Sequence, residues 1–503
     1  MKPALRTLAV LFAIATCSPA QAAAGPPPLT AKPFVLRTLD GGRHAASLER
    51  LRVPEDRGRS GSPPIVISFV RLSCTVANPG PPIVFLSGEA DAPSTLLGRV
   101  PAYHALFERL RELGDVILLD RRGTGLSEPT LQCAAKGSLP LDAFESEAKA
   151  AAALGEIARA CARMVRGDGY APRNYQADAS ADDLEDLRVA LGADRLRLLA
   201  MGDGTEVALA AVRRHGERID RVALAGTRGP DHAWTLPSAL DLQLKRVSRL
   251  VASDSTYANE LPNLEGTVRR ILDTLAWNAA SLEVTDVKAK KKVRLRVGPF
   301  GFQAVLGRDL SDGFAARAVP AMVATLARGD SLLFAQRVER LYNDAGWGLS
   351  LAAIAADCAS GGSPERIARA TEEGRTALLG GGRNLLLGPA FCDLVGIPET
   401  PDLGAAARTP LSSETPALFI TGEYDAVTPP AQAEEVRRGF PNGVVLVAEN
   451  GWHETLSAPP VRDAVVEFFR GADVRGRRIL LEPARFLSVE EAKAAAAKLR
   501  PGK

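Results

Sequence analysis

The stretch Arg195-Leu-Arg-Leu-Leu-Ala-Met-Gly-Asp-Gly-Thr-Glu206 decides the fold. Leu196, Leu198 and Leu199 read as a short buried strand, and Glu206-Val-Ala-Leu-Ala-Ala-Val-Arg-Arg-His215 as a helix that starts at once. A tight turn must join them. In the G-x-S-x-G elbow such a turn lifts a serine hydroxyl above a sheet, and small residues two before and two after the serine let strand and helix approach closely. Here the small residues are Ala200 and Gly204, and the position between them is Gly202. A frame shifted by one residue would make Asp203 the nucleophile, but Met201 would then occupy a site that needs a small residue, so that frame is rejected.

Upstream, Phe34–Thr38 and Pro64–Leu72 read as antiparallel opening strands, with Arg57–Gly61 as a turn. Pro82–Leu86 and Asp115–Asp120 are short apolar runs suited to strands buried on both faces, and Tyr103–Leu113 between them has helical spacing. Arg121–Ser127 is a Gly-rich turn, Ala181–Leu191 a helix feeding the elbow strand, and Arg221–Ala225 the next strand. Asp178, Asp182 and Asp183 read as helix-start residues, where the dipole favours carboxylates. Strands alternating with helices at this spacing predict a doubly wound, mostly parallel α/β sheet.

From 231 to 409 the alternation gives way to helical patterns such as Val319–Arg328 and Ser331–Tyr342, the expectation for an inserted helical lid. Lys288–Val297 is its one charge run; Val293, Leu295 and Val297 alternate with basic residues, which predicts a strand with a solvated face. Residues 23–230 and 410–503 then form the two parts of the core. The second part reads as strand Pro416–Thr421, helix Ala431–Arg438, strand Gly443–Ala448 and helix Pro460–Phe469, with Ser488 and Glu491 as a capping box for a last helix. Asp425 and His453 each fall in a turn just after one of these strands. They would therefore project at the same rim as the elbow, in the chain order nucleophile, acid, histidine.

A chain of 503 residues, 46% of them hydrophobic, can bury a large core. Its net charge of +3 and the lack of a basic stripe with interleaved aromatics exclude nucleic acid as a natural partner. Met1–Arg6, the apolar run Thr7–Thr16 and Ala20-Gln-Ala22 have the form of a secretory signal ending at residue 22, so export to the periplasm or medium is expected. The alternative is a lipoprotein anchored through Cys17. No later stretch approaches the 18 uncharged apolar residues of a membrane span. Proximity would pair Cys133 with Cys161 and Cys358 with Cys392, leaving Cys74 free on a strand; five buried thiols are the alternative.

The chain resembles the exported α/β-hydrolases of the prolyl and tripeptidyl aminopeptidase type. The resemblance rests on Asp120-Arg-Arg-Gly-Thr-Gly-Leu-Ser127, on Gly204-Thr205 followed by Val212-Arg-Arg-His-Gly-Glu-Arg-Ile-Asp-Arg-Val222, on Gly422-Glu-Tyr-Asp-Ala-Val-Thr-Pro429, and on a helical insertion before the segment carrying acid and histidine. It implies an α/β-hydrolase fold and a serine enzyme that cleaves short peptides from a free amino terminus. Two departures touch the reaction centre. Gly202 replaces the serine, and Gly88-Glu-Ala-Asp91 stands where the family has Gly-Gly-Pro-Gly in its oxyanion hole. Carboxylates at Glu89, Asp91 and Asp203 would oppose the charge that hole stabilises and would instead suit a cation; the alternative is that Asp203 favours a helix amino terminus while Glu89 and Asp91 face solvent on a loop. The expectation is a pseudoenzyme that keeps the Asp425–His453 dyad and binds a small amine or peptide, without a cofactor. The alternative is a hydrolase that works through water on His453 or through Asp203. His453 with scattered carboxylates has no recognisable metal-ligand spacing.

Overall fold

The computed structural model describes residues 27–88, 92–397 and 408–498. Its strands are β1 (Leu29–Arg37), β2 (Arg43–Pro54), β3 (Pro64–Leu72), β4 (Ile83–Leu86), β5 (Val116–Asp120), β6 (Gln132–Cys133) and β7 (Leu196–Met201). They continue with β8 (Ile219–Ala225), β9 (Ala280–Asp286), β10 (Lys291–Val297), β11 (Leu349–Ser350), β12 (Ala417–Gly422), β13 (Gly443–Glu449) and β14 (Ile479–Leu480). Ten of them form one sheet in the order β1-β2-β3-β5-β4-β7-β8-β12-β13-β14, antiparallel from β1 to β5 and parallel from there on. This is the doubly wound, mostly parallel α/β sheet that the alternation predicts, and the α/β-hydrolase fold that the resemblance implies.

Every residue of β4, β5 and β12 is buried. Their side chains sort by parity. Val84, Leu86, Leu198, Ala200 and Phe419 pack with helices Ala177–Ala190 and Gly204–His215, whereas Ile83, Phe85, Leu199, Leu418 and Ile420 pack with Pro101–Leu110 and Pro459–Phe469. Two covered faces explain the continuous apolar runs, because neither parity of such a strand meets water.

The opening region differs from the expectation in one respect. β1 and β3 do not pair with each other; β2 lies between them and is antiparallel to both. Of its twelve residues only Glu49, Leu51 and Val53 are buried, so it carries no continuous apolar signal. Cys74 lies two residues beyond the end of β3 rather than on a strand, its N–H donating to Asp115 Oδ1 (2.8 Å). The helix-start reading of Asp182 and Asp183 also fails, since the helix begins at Ala177. Asp182 binds Arg214 and His215, and Asp183 binds Arg122 and Arg57.

Between β8 and β12 the chain is mainly helical and builds a third apolar cluster around Val247, Val268, Phe302, Met322 and Phe334. The basic run forms β10, which pairs with β9 in a hairpin whose Leu295 and Val297 are buried. Helix Glu147–Gly167 also packs into this cluster, as does Ala492 of the last helix, Val489–Lys498. That helix opens with the expected capping box: the Ser488 N–H donates to Glu491 Oε2 (2.9 Å) and the Glu491 N–H to Ser488 Oγ (3.2 Å). Disulfides Cys133–Cys161 and Cys358–Cys392 staple the same region. Residues 1–22, the signal expectation, and Cys17 with them, lie outside the described residues. No helix among the described residues is long and apolar enough to cross a membrane.

One buried ion pair fixes the Gly-rich turn after β5. Arg122, its side chain 1% exposed, donates to both oxygens of Asp183 (2.7 Å each) and to the carbonyls of Glu55 and Asn174. Asp183→Ala would leave a buried guanidinium uncompensated. The expected loss is about 3–5 kcal/mol in urea denaturation; a loss under about 1 kcal/mol, the scale of an exposed pair, would show that the pair is not sealed from water.

Candidate active site

Register brings the site together before any side chain is considered. Met201 pairs with Ala225, Ala225 lies one residue from Gly226, and Gly422 of β12 is level with Ala448 of β13. The turns after β7, β8, β12 and β13 therefore leave at one rim. Gly202 has φ +50°, the left-handed region, and its N–H donates to the Ala225 carbonyl (3.0 Å). Gly204, two residues on, cannot carry a side chain: a Cβ there would sit 2.4 Å from the Leu86 carbonyl oxygen. Strand and helix approach as closely as an elbow requires.

Asp425 and His453 meet at this rim. His453 Nδ1–H donates to Asp425 Oδ2 (2.9 Å), and Asp425 also accepts from the Val427 and Thr428 N–H groups (2.8 Å each) and the Thr428 hydroxyl (2.7 Å). Burial pushes the Asp425 carboxyl up, but His453 and these donors outweigh it and hold the group below the ordinary aspartate range. With Nδ1 committed as donor, Nε2 of the neutral ring is an acceptor. It faces position 202: a Cβ on Gly202 would lie 3.9 Å from it and 3.2 Å from Gly88 Cα. Gly226, at φ +63°, makes room for the ring, since a Cβ there would come within 2.9 Å of His453 Cε1. Sequence reading did not single out Gly226 or Thr428, whose roles depend on a strand neighbour and on a side chain reaching back.

Asp203 is placed differently from the expectation of an acidic, cation-seeking cleft. Its carboxylate pairs with Arg228 Nη1 (2.6 Å), and the same guanidinium is ion-paired with Glu206 (2.7 Å) and with Asp357 (2.6 Å) from the segment between β8 and β12. Arg121 lies in the same field and donates to the Gly88 carbonyl (2.9 Å). Two guanidiniums thus meet three carboxylates, so the negative charge of Asp203 is answered on the spot. Glu89 and Asp91 lie outside the described residues. Gly88 packs on the elbow, where a Cβ would come within 2.8 Å of the Met201 carbonyl oxygen.

Above His453 a cavity of about 810 Å³ opens toward the inserted segment. Glu147, Asp312 and Glu454 line it together with Arg308, Arg375 and Arg383, so both signs of charge face the space.

The ion-pair cluster has a pH signature. Burial pushes the Glu206 carboxyl up to about 7 against the pull of Arg228. A folded-state value above the ordinary 4.5 means that the native state holds the proton more tightly than the unfolded chain. The stability this group contributes is full below pH 4.5 and is lost as pH rises through 7. Relative to Glu206→Gln, the wild type is expected to lose stability between those values; parallel stability–pH curves for the two proteins would contradict the assignment.

Two sequence families match. Residues 81–262 match the family described as alpha/beta hydrolase fold, and residues 382–477 the family described as TAP-like protein. No curated protein matches the sequence. Similar solved structures include a thermophilic esterase from Thermogutta terrifontis at 17% identity, with 84% of this chain and 98% of that one covered and a TM-score of 0.34. A meta-cleavage product hydrolase from Pseudomonas fluorescens IP01 is 15% identical, with 81% and 96% covered and a TM-score of 0.37. Rv0554 from Mycobacterium tuberculosis is 17% identical, with 84% and 100% covered and a TM-score of 0.36. Taken with the sheet order and the family match over β4 to β8, the chain has the α/β-hydrolase fold.

Proposed function

We propose that this protein is an exported, catalytically disabled relative of the aminopeptidase-type hydrolases, whose cavity over His453 binds a short peptide or small amine. One observation carries the reading: position 202 stands within reach of His453 Nε2, and it is glycine. Without a hydroxyl or thiol there, no acyl-enzyme can form. In comparable hydrolases loss of the serine costs about a million-fold in turnover, about 8 kcal/mol of transition-state stabilisation. The residues between β8 and β12 act as a lid in this reading. The mixed charges of the cavity suit a ligand that carries both signs, as a short peptide with free termini does.

The intact Asp425–His453 bond favours one competing reading, in which the imidazole activates a water molecule directly. Turnover compared with His453→Ala separates the two, whereas labelling tests the elbow geometry they share. Wild-type protein is expected to resist labelling by a serine-reactive fluorophosphonate. Gly202→Ser is expected to become labelled, because its hydroxyl would come within hydrogen-bond reach of Nε2 at a backbone cost of about 1 kcal/mol for the left-handed conformation. Adding His453→Ala should remove the label. Labelling of the wild type at the elbow, or a Gly202→Ser protein that folds and stays unlabelled, would overturn this reading of the site.

A further inference from the structure

Away from the elbow, three metal-ligating side chains converge where β2 meets helix Pro101–Leu110. His104 and Glu108 lie one turn apart on that helix, and His44 reaches them from the start of β2. One donor atom from each falls within 4.8 Å of the others. His104 Nε2 is 3.3 Å from Glu108 Oε1, and His44 Nδ1 is 4.0 Å from the same oxygen. Two nitrogens and an oxygen bound tetrahedrally at about 2.0–2.2 Å from one ion stand about 3.3–3.5 Å apart. The first distance already fits, and the second closes by a small rotation of the half-exposed His44.

Two further features separate this cluster from a chance surface grouping. His104 is 5% exposed, yet neither of its ring nitrogens makes a well-aligned hydrogen bond, although the Gly98 backbone and Glu108 Oε1 lie close to it. A buried polar ring is ordinarily satisfied, and an unsatisfied one aimed at a carboxylate and a second imidazole calls for an occupant. The two imidazoles also lie with centroids 3.8 Å apart, close enough to share one ion. A cation between them would satisfy the buried ring, because each neutral imidazole offers it a lone pair.

The surroundings hold the donors in place. Arg111 donates to both oxygens of Glu108 (2.9 and 2.8 Å), orienting the carboxylate while leaving it lone pairs to spare, as outer-sphere partners of metal ligands do. Gly42 backs His44: a Cβ there would sit 2.9 Å from His44 Nε2 and 2.5 Å from Thr38 Oγ1. We propose that His44, His104 and Glu108 form a binding site for a borderline transition-metal ion, with zinc as the representative, that clamps β2 to helix Pro101–Leu110. Two imidazoles and one carboxylate select such an ion over magnesium or calcium, which prefer all-oxygen shells.

The test is isothermal titration of the chelator-treated mature protein with zinc chloride, with magnesium chloride as the comparison cation. The expected result is one zinc per chain and no magnesium binding, with an upward shift of the unfolding temperature on zinc addition. His104→Gln and His44→Gln should each weaken zinc binding by at least about tenfold. His44 is half-exposed, so its variant stays informative if His104→Gln fails to fold. His215→Gln, at a histidine held by Asp182, should bind zinc as the wild type does. No zinc binding by the folded wild type, or binding that survives both His44→Gln and His104→Gln, would overturn the proposal.

Discussion

Parallel pairing of β7, β8, β12 and β13 is the constraint on which the site depends. Gly202 and Gly226 meet the Asp425–His453 pair, whose members are 28 residues apart, only because four strand ends are level. Ala200 stands beside Leu224, Ala225 beside Ile420, and Gly422 beside Ala448. Strands buried on both faces tolerate no slip, since a shift of one residue would exchange the two packed faces. Glycine is then required wherever a turn crosses a neighbour, as at Gly226, Gly204 and Gly422, where a Cβ would strike the Trp452 carbonyl oxygen at 2.2 Å. Gly202 is the exception: position 202 has more room, with Gly88 Cα 3.2 Å from a hypothetical Cβ. Its left-handed φ favours glycine but does not demand it.

Electrostatics ties the inserted segment to the elbow. Asp203 and Glu206 bracket the start of the helix, Asp357 comes from helix Leu351–Ser360, and Arg228 from the turn after β8 holds all three. Removing charges from water is unfavourable unless partners replace the hydration. Here Ser360 adds its hydroxyl to Glu206 (2.9 Å). The cluster therefore fixes the inserted segment relative to the elbow through directed contacts as well as apolar packing. It also leaves Asp203 answered by a guanidinium, which is why a carboxylate beside the elbow does not by itself make a cation site.

The sheet was legible in sequence because fully buried strands are short, apolar and evenly spaced by helices. The elbow was legible because its small residues sit at fixed offsets, and Asp425 and His453 because both follow such strands. What escaped lacked a local signature. β2 carries three arginines, a histidine and a glutamate among its twelve residues, so its few buried positions do not stand out. β9 does alternate, with Leu282, Val284 and Asp286 buried, but its seven residues follow directly on a helix and are too few to override the helical reading. Arg228 is 25 residues from Asp203 and 129 from Asp357, and it meets both only through tertiary contact, so no local pattern showed that a guanidinium answers Asp203.

The central claim is that glycine at the elbow leaves a hydrolase scaffold without hydrolysis. Turnover of the purified protein on aminoacyl amides, short peptides and short-chain esters, measured beside His453→Ala, tests it most directly. The account predicts that both proteins give the same rate, indistinguishable from buffer. A wild-type rate above background that vanishes in His453→Ala would contradict it and would establish His453 as the base of a working enzyme.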